Sequence, residues 1–457
     1  MRPRYFAAGT VNDPSSLYVE RQADRELREA LLRGELCYVF APRKIGKSSL
    51  KVRTMATLRA RGVRCVALDL SGAGTENTTL EQWYNGLVYE IRRRLRLSGT
   101  IDPPGLSPVL RFRRFLRDEL LVQVTDPVVL FIDEIDTFRS FPQVARDDFF
   151  ALLRACFEER AEEPALRRLS FCLLGVAHSE DLIDDPARTP FNVARAISLE
   201  DFDRAEIAPF AEGLGDLGGD PQRLLSAVYD WTSGDPYLMQ ALCVELSRGR
   251  CRVGQSEEEY VAERTRERFL KPPVREDYLN QTVRALRGGA RERRTAELLA
   301  LYRHLLECAD IIADARDPLQ ADLRLMGLGA WRGGFLRVRN RIFACVFDRL
   351  WVTDREACRT VSRCMRRWQD AGRPDGLLLS EHELEAARRV LSGTGGATQE
   401  ESEYLLESQA VLTREELAKW RRLTMTIITA LCVAAPVAAF GGAWFWRGVR
   451  LSREAAE

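Results

Sequence analysis

Residues 36–58 hold the feature that narrows the fold most. Leu36-Cys37-Tyr38-Val39-Phe40 is a short apolar, aromatic-rich run and reads as a buried strand. The loop Ala41-Pro42-Arg43-Lys44-Ile45-Gly46-Lys47-Ser48-Ser49 follows, and Ser49 to Leu58 reads as a helix. Strand, tight loop, Gly-Lys-Ser and helix form the order that a phosphate-binding loop requires. Backbone N–H groups and the helix N-terminus offer partial positive charge to phosphates. In such a loop Lys47 reaches the β- and γ-phosphates, Ser48 binds Mg²⁺, and residues 41–49 together are the candidate nucleotide contacts. The loop opens on Ala41 where glycine is usual, so its first turn must use φ/ψ values that a Cβ tolerates.

A second stretch supplies the acidic partner. Val128-Val129-Leu130-Phe131-Ile132 is a continuous apolar run, as a strand buried on both faces is, and it ends in Asp133-Glu134-Ile135-Asp136. Asp133 fits the carboxylate that holds Mg²⁺ through water, and Glu134 fits the base that orients the attacking water. Both motifs sit at the C-terminal end of an expected strand, the edge where open α/β sheets bind ligands. Glu134, Asp133 and Lys47 are thus the candidate catalytic residues, Ser48 and Asp133 the candidate Mg²⁺ ligands, and ATP with Mg²⁺ the expected cofactors.

Composition sets the outer limits. A chain of 457 residues exceeds one core, and two or three domains are expected. Basic and acidic residues nearly cancel, 68 against 67, so no global charge argues for nucleic acid. The eleven cysteines are scattered and form no C-x-x-C pair, and only three histidines are present, which argues against structural zinc and suits reduced thiols. The N-terminus, Met1 to Phe6, lacks the apolar segment of a secretion signal.

Along the chain, Asp24 to Arg33 reads as an amphipathic helix and Arg64 to Leu70 as a further strand. Leu80 to Leu95 follows a helical period, and Leu169 to Val176 reads as another buried strand. His178 and Ser179 at the end of that strand are candidates to sense a γ-phosphate. Alternating strands and helices imply a parallel sheet with helices on both faces.

Here the sequence resembles a family. Tyr18-Val19-Glu20-Arg21, the Arg-Lys-Ile-Gly-Lys-Ser-Ser loop, the Asp133-Glu134 strand and Thr189-Pro190-Phe191-Asn192 look like the AAA-like subgroup of the STAND NTPases, bacterial signal-transduction ATPases related to AAA+ proteins. The resemblance spans roughly residues 5–352. It implies an ATP-driven molecular switch that alternates between closed and open states and associates with copies of itself. Arg188 and Arg195 are candidate finger arginines in such an assembly. Ser233-Gly234-Asp235-Pro236-Tyr237 resembles the Gly-x-Pro segment of the STAND helical lid. The stretch from Leu323 to Val352, with a hairpin at Trp331–Val338, resembles a winged helix. Its Arg332, Arg337, Arg339 and Arg341 are the residues through which DNA would be touched, although the near-neutral charge argues against DNA as a partner.

The expected organisation is an ATPase core at 1–200, a helical lid at 201–270, a winged-helix-like domain at 271–352 and a helical juxtamembrane region at 353–420. A single transmembrane helix at 421–446 and a short tail at 447–457 complete it. The last helix is expected because Leu423 to Trp446 carries no charge across 24 residues, long enough to span a bilayer, with Trp420, Trp444 and Trp446 at its ends. The reading that follows is a single-pass protein of the inner (cytoplasmic) membrane, its ATPase domain in the cytoplasm and the lipid bilayer among its partners. It would act as a signalling or defence switch with the membrane segment as effector or anchor, self-association and an unknown protein partner being expected. The alternatives are a passive tethered scaffold that recruits another protein, and a DNA-handling AAA+ ATPase.

Overall fold

The structure is a computed structural model. It describes residues 5, 17–72, 78–99, 105–183, 185, 188–271, 278–280, 282, 292–308, 310–393 and 397–454, without side chains beyond 428 in the last helix. Two compact units emerge, residues 1–348 and 349–457.

The first unit is built on a five-stranded parallel sheet. Its strands are β1 (Cys37–Phe40), β2 (Arg64–Asp69), β3 (Val128–Asp133), β4 (Leu169–Gly175) and β5 (Arg195–Ala196), in the spatial order β2-β3-β4-β1-β5. Every residue of β3 and β4 is buried, which is why both read as nearly continuous apolar runs, broken only by Ser170 and the terminal Asp133. Alternation of side chains along each strand divides them between two cores. Leu130, Ile132, Phe171 and Leu173 face one core with Trp83, Phe138 and Phe149, under helices α3 (Leu80–Leu95), α4 (Pro108–Arg114) and α5 (Gln143–Glu158). Val129, Phe131, Cys172 and Leu174 face the other, under α1 (Gln22–Leu32) and α2 (Lys47–Arg59). The expected sheet with helices on both faces is therefore present. Trp83 anchors the first core edge-on to Phe138 and Phe149, at 4.9 and 5.5 Å between ring centres.

After the sheet come α6 (Pro221–Thr232), α7 (Pro236–Leu246) and α8 (Glu257–Thr265). Asp220 and Asp235 cap α6 and α7 through their side chains, and a proline opens each helix. Between α6 and α7 the chain reverses through Ser233 and Gly234, at φ 48° and 82°. A Cβ on Gly234 would lie 2.0 Å from the Phe202 carbonyl oxygen. Gly234→Ala is therefore expected to lower stability by about 2–4 kcal/mol in urea unfolding, from positive φ and backbone overlap together.

The remainder of this unit comprises α9 (Glu292–Glu307), β6 (Ile311–Ile312), α10 (Pro318–Leu325), β7 (Gly329–Arg332), β8 (Phe335–Val338) and α11 (Arg341–Val346). The three strands form an antiparallel sheet in the order β6-β8-β7.

Among the described residues the second unit has three α-helices, α12 (Arg349–Asp370), α13 (Glu381–Gly393) and α14 (Gln399–Glu454). Its core holds Val361, Met365, Trp368, Leu384, Leu391 and Tyr404. The Tyr404 hydroxyl donates to the Leu377 carbonyl at 2.9 Å, and Trp368 packs on the Tyr404 ring.

One expectation is corrected here. Among the described residues no helix is long and apolar enough to cross a membrane. The sequence reading weighed the uncharged stretch 423–446 by itself. In the structure it continues a 56-residue helix that starts as a packed, amphipathic element of the second unit. Thr424 and Thr426 return their hydroxyls to the Trp420 and Arg422 carbonyls of the preceding turn. Side chains from 429 onward lie outside the described residues. The transmembrane helix, the single-pass inner-membrane localisation with a cytoplasmic ATPase domain, and the bilayer as a partner are accordingly withdrawn.

Candidate functional site

The loop between β1 and α2 is held from three sides. Ala41 N–H donates to the Gly175 carbonyl at the end of β4, at 3.2 Å. Arg21, itself buried, donates from Nη1 to the Ile45 carbonyl at 2.9 Å and to the Glu200 carbonyl at 3.0 Å, with its guanidinium 5.2 Å over the Phe202 ring. Lys44 lies 5.1 Å over the Tyr237 ring of α7. The left-handed positions of the loop are Lys44 at φ 65° and Gly46 at φ 103°, and Ala41 is not among them. This is why alanine is tolerated at the opening position. A Cβ at Gly46 would sit 2.9 Å from the Arg21 guanidinium, so backbone freedom and close approach both require glycine there.

Lys47 opens α2 and is almost fully buried. Its ammonium donates to the Ala41 and Pro42 carbonyls at 2.7 and 2.8 Å and has no ion-pair partner among the described residues. Burial pulls it down to about 8, against the opposing fields of Glu134, Asp136 and Asp133. Ser48 is exposed at the loop edge and Ser49 is buried.

The carboxylates stand at the end of β3. Asp133 accepts the Glu134 N–H on Oδ1 at 3.0 Å and pairs through Oδ2 with the ammonium of Lys51. Glu134 takes a left-handed backbone at φ 56°, ψ 43°, which turns the chain sharply off the strand. Burial first, then Asp136 and Asp133, push its carboxyl up. Asp136 accepts the Val176 N–H at 3.0 Å, tying this turn to the end of β4. The turn passes so close that a Cβ on Gly175 would lie 2.7 Å from Ile135 and 2.9 Å from Asp136.

The structure thus brings residues 41–49 and the acidic pair 133–134 to one edge of the sheet. The sequence reading assigned nothing to three further groups there. Asp136 sits on the same turn as Glu134. Lys51 lies four residues beyond Lys47, on the same helical face, and that spacing was the available signal. Arg21 closes the Tyr18–Arg21 segment quoted for the family resemblance, but that segment says nothing of its place under the loop.

His178 and Ser179 belong to a different neighbourhood. His178 Nε2 lies 2.9 Å from an Asp322 oxygen of α10, whose other oxygen accepts from Arg294 at 2.7 Å. These residues line a cavity of about 430 Å³ with Asp181 and Arg316, and no residue of the loop lines it. The two arginines expected as fingers are paired within the chain, Arg188 with Asp148 and Arg195 with Glu35. The four arginines expected to face phosphates are likewise engaged. Arg332 and Arg339 hold Asp201, Arg337 holds Asp310, and Arg341 lies 4.0 Å over the Trp231 ring.

A parallel sheet in this order, with a Gly-Lys-Ser loop after β1 and an acidic turn after β3 on one edge, defines an α/β protein with the P-loop ATPase fold. The AAA-like domain profile matches residues 6–264, more than half of the chain, and the chain belongs to that AAA-like family. It is 33% identical over 459 residues to an uncharacterized WD repeat-containing protein of Synechocystis sp., an alignment that covers 93% of this chain and 38% of that protein. The chain therefore spans little more than a third of that relative's length. Among solved structures, a Walker-type ATPase of Pyrococcus abyssi shares the fold at a TM-score of 0.51 and 17% identity, over 76% of this chain and 98% of that one. A STAND protein with a tetratricopeptide repeat sensor from Pyrococcus horikoshii aligns over 91% of this chain and 53% of its own, but its TM-score of 0.31 and 12% identity support no inference.

Proposed function

We propose that the chain is an ATP-binding, slowly hydrolysing molecular switch whose nucleotide lies between residues 41–49 and the turn at 133–136. The observation that carries this reading is Lys47. A buried ammonium at the start of α2, bonded to two loop carbonyls and without an ion-pair partner among the described residues, suits a polyanionic ligand. The donor chemistry fits Mg²⁺ as well, a serine hydroxyl and a carboxylate being oxygen ligands rather than the nitrogen or sulfur ligands of a structural metal.

In this reading Lys47 contacts the β- and γ-phosphates, and the backbone of residues 41–49 cradles them. Ser48 and Asp133 hold Mg²⁺, and Glu134 accepts the proton of the attacking water. Mg²⁺, when bound, neutralises phosphate charge. The segment 201–270 is then a lid, and the 271–352 region, with its small antiparallel sheet, a winged-helix-like domain. Lys44 against Tyr237 gives the lid a direct contact with the loop. A signalling role, self-association and a protein partner belong to the same proposal, on the strength of the STAND resemblance alone.

The experiment is a titration with a fluorescent ATP analogue. Lys47→Ala is expected to weaken binding by about 100-fold or more, because the loss leaves phosphates facing buried carboxylates. Equal affinity of wild type and variant would remove the nucleotide from this loop.

A further inference from the structure

The ion pair between Lys51 and Asp133 has a consequence for how the site meets its metal. Both side chains are largely buried, at 14% and 8% exposure. Both Asp133 oxygens are already engaged, Oδ1 by the Glu134 N–H and Oδ2 by the Lys51 ammonium. Lys51 and Lys47 project from one face of α2, one turn apart, so the site contains two ammonium groups, one on the loop carbonyls and one on the carboxylate. Among the described residues, moreover, no group of three or more His, Cys, Asp or Glu is disposed to hold a metal ion by itself.

We propose that Lys51 is a built-in counter-cation that substitutes for Mg²⁺ at Asp133 during nucleotide binding. This inference rests on the nucleotide reading above. A triphosphate approaching Lys47 also approaches Asp133, and a bare carboxylate there repels it. In a site without a resident lysine, Mg²⁺ must screen that repulsion before the nucleotide is held. Here the screening is already in place. Nucleotide binding becomes nearly independent of Mg²⁺, and the metal is needed for hydrolysis. Mg²⁺ also has to share Asp133 Oδ2 with an ammonium of like charge, so the chain holds the metal weakly.

The test measures affinity for the fluorescent ATP analogue in saturating Mg²⁺ and in EDTA. Wild type is expected to differ by less than about threefold between the two conditions, and Lys51→Met by more than about tenfold, the loss falling in EDTA. Lys51→Arg, which keeps the charge, should behave as wild type. The inference is overturned if Lys51→Met shows the wild-type ratio, or if wild type itself loses more than about tenfold in EDTA. Should Lys51→Met fail to fold, Asp133→Asn reads the same interaction from the other side. Without the carboxylate, Lys51 is surplus positive charge and binding in EDTA tightens, whereas an unchanged or weaker affinity overturns the inference. Failure of the underlying reading looks different: wild type then fails to bind the analogue in either condition, or binds it no better than Lys47→Ala.

Discussion

Arg339→Met will destabilise the first unit by about 3–5 kcal/mol, more than any single exposed ion pair in the chain, because it strips the arginine from fully buried Asp235 and leaves Asp201 with Arg332 alone. Arg339 is itself buried. Its Nη2 lies 2.8 Å from Asp201 and its Nε 2.9 Å from Asp235, a residue with no exposed surface. The Tyr278 hydroxyl donates to the same Asp235 oxygen at 2.9 Å, and Arg332 completes the cluster by bonding Asp201 and the Ser233 carbonyl. Burial opposes the Arg339 charge, but Asp201, Tyr278 and Asp235 outweigh it and raise its pKa, while burial pushes the Asp235 carboxyl up. In the variant the arginine no longer opposes that upward push, and only the hydrogen bonds from Leu238 N–H and the Tyr278 hydroxyl still do. A carboxyl with a folded pKa above its unfolded value stabilises the fold below the unfolded pKa and loses that contribution as pH rises through the folded one. Arg339→Met should therefore recover part of its lost stability as pH falls from neutral toward 5. Adding Asp235→Asn should recover part of it at neutral pH. Urea unfolding at two pH values checks both. A loss under about 1 kcal/mol with no pH dependence would mean that water reaches the cluster.

That cluster also shows where sequence reading stops. The strands were legible because β3 and β4, buried on both faces, carry nearly continuous apolar runs, and β3 ends in the acidic residues expected at the edge where such sheets bind ligands. The loop was legible because Gly46, Lys47 and Ser48 are adjacent in sequence. Arg332 and Arg339 were not. On the hairpin at Trp331–Val338 and at the start of the helix after it, they read as arginines free to meet phosphate. Their partners Asp201 and Asp235 lie about a hundred residues earlier, and no periodicity encodes a pairing over that distance. The same holds for Arg21 beneath the loop and for His178, which turns to Asp322 of α10. The expected membrane helix failed for a different reason. Its reading rested on the uncharged stretch 423–446, whereas among the described residues no helix is long and apolar enough to cross a membrane.

The last prediction separates binding from chemistry. Glu134→Gln is expected to leave nucleotide affinity within about threefold of wild type while slowing hydrolysis about 10²–10⁴-fold, the usual contribution of a positioned general base. The substitution keeps size and hydrogen-bonding capacity and removes only basicity. Affinity should survive because Lys47 and the loop backbone, not Glu134, are the groups proposed to grip the phosphates. The rate should fall because burial and the neighbouring Asp136 and Asp133 raise the basicity of this carboxylate above that of an exposed one. Asp136 is the natural competitor for the role, since it lies on the same turn and acts on both Lys47 and Glu134. Its Oδ1, however, is committed to the Val176 N–H, which makes it a strut between β3 and β4. Single-turnover hydrolysis by Glu134→Gln and Asp136→Asn decides between them. If the first retains the wild-type rate and the second loses it, the base is Asp136, and the left-handed turn at Glu134 serves to aim that residue instead.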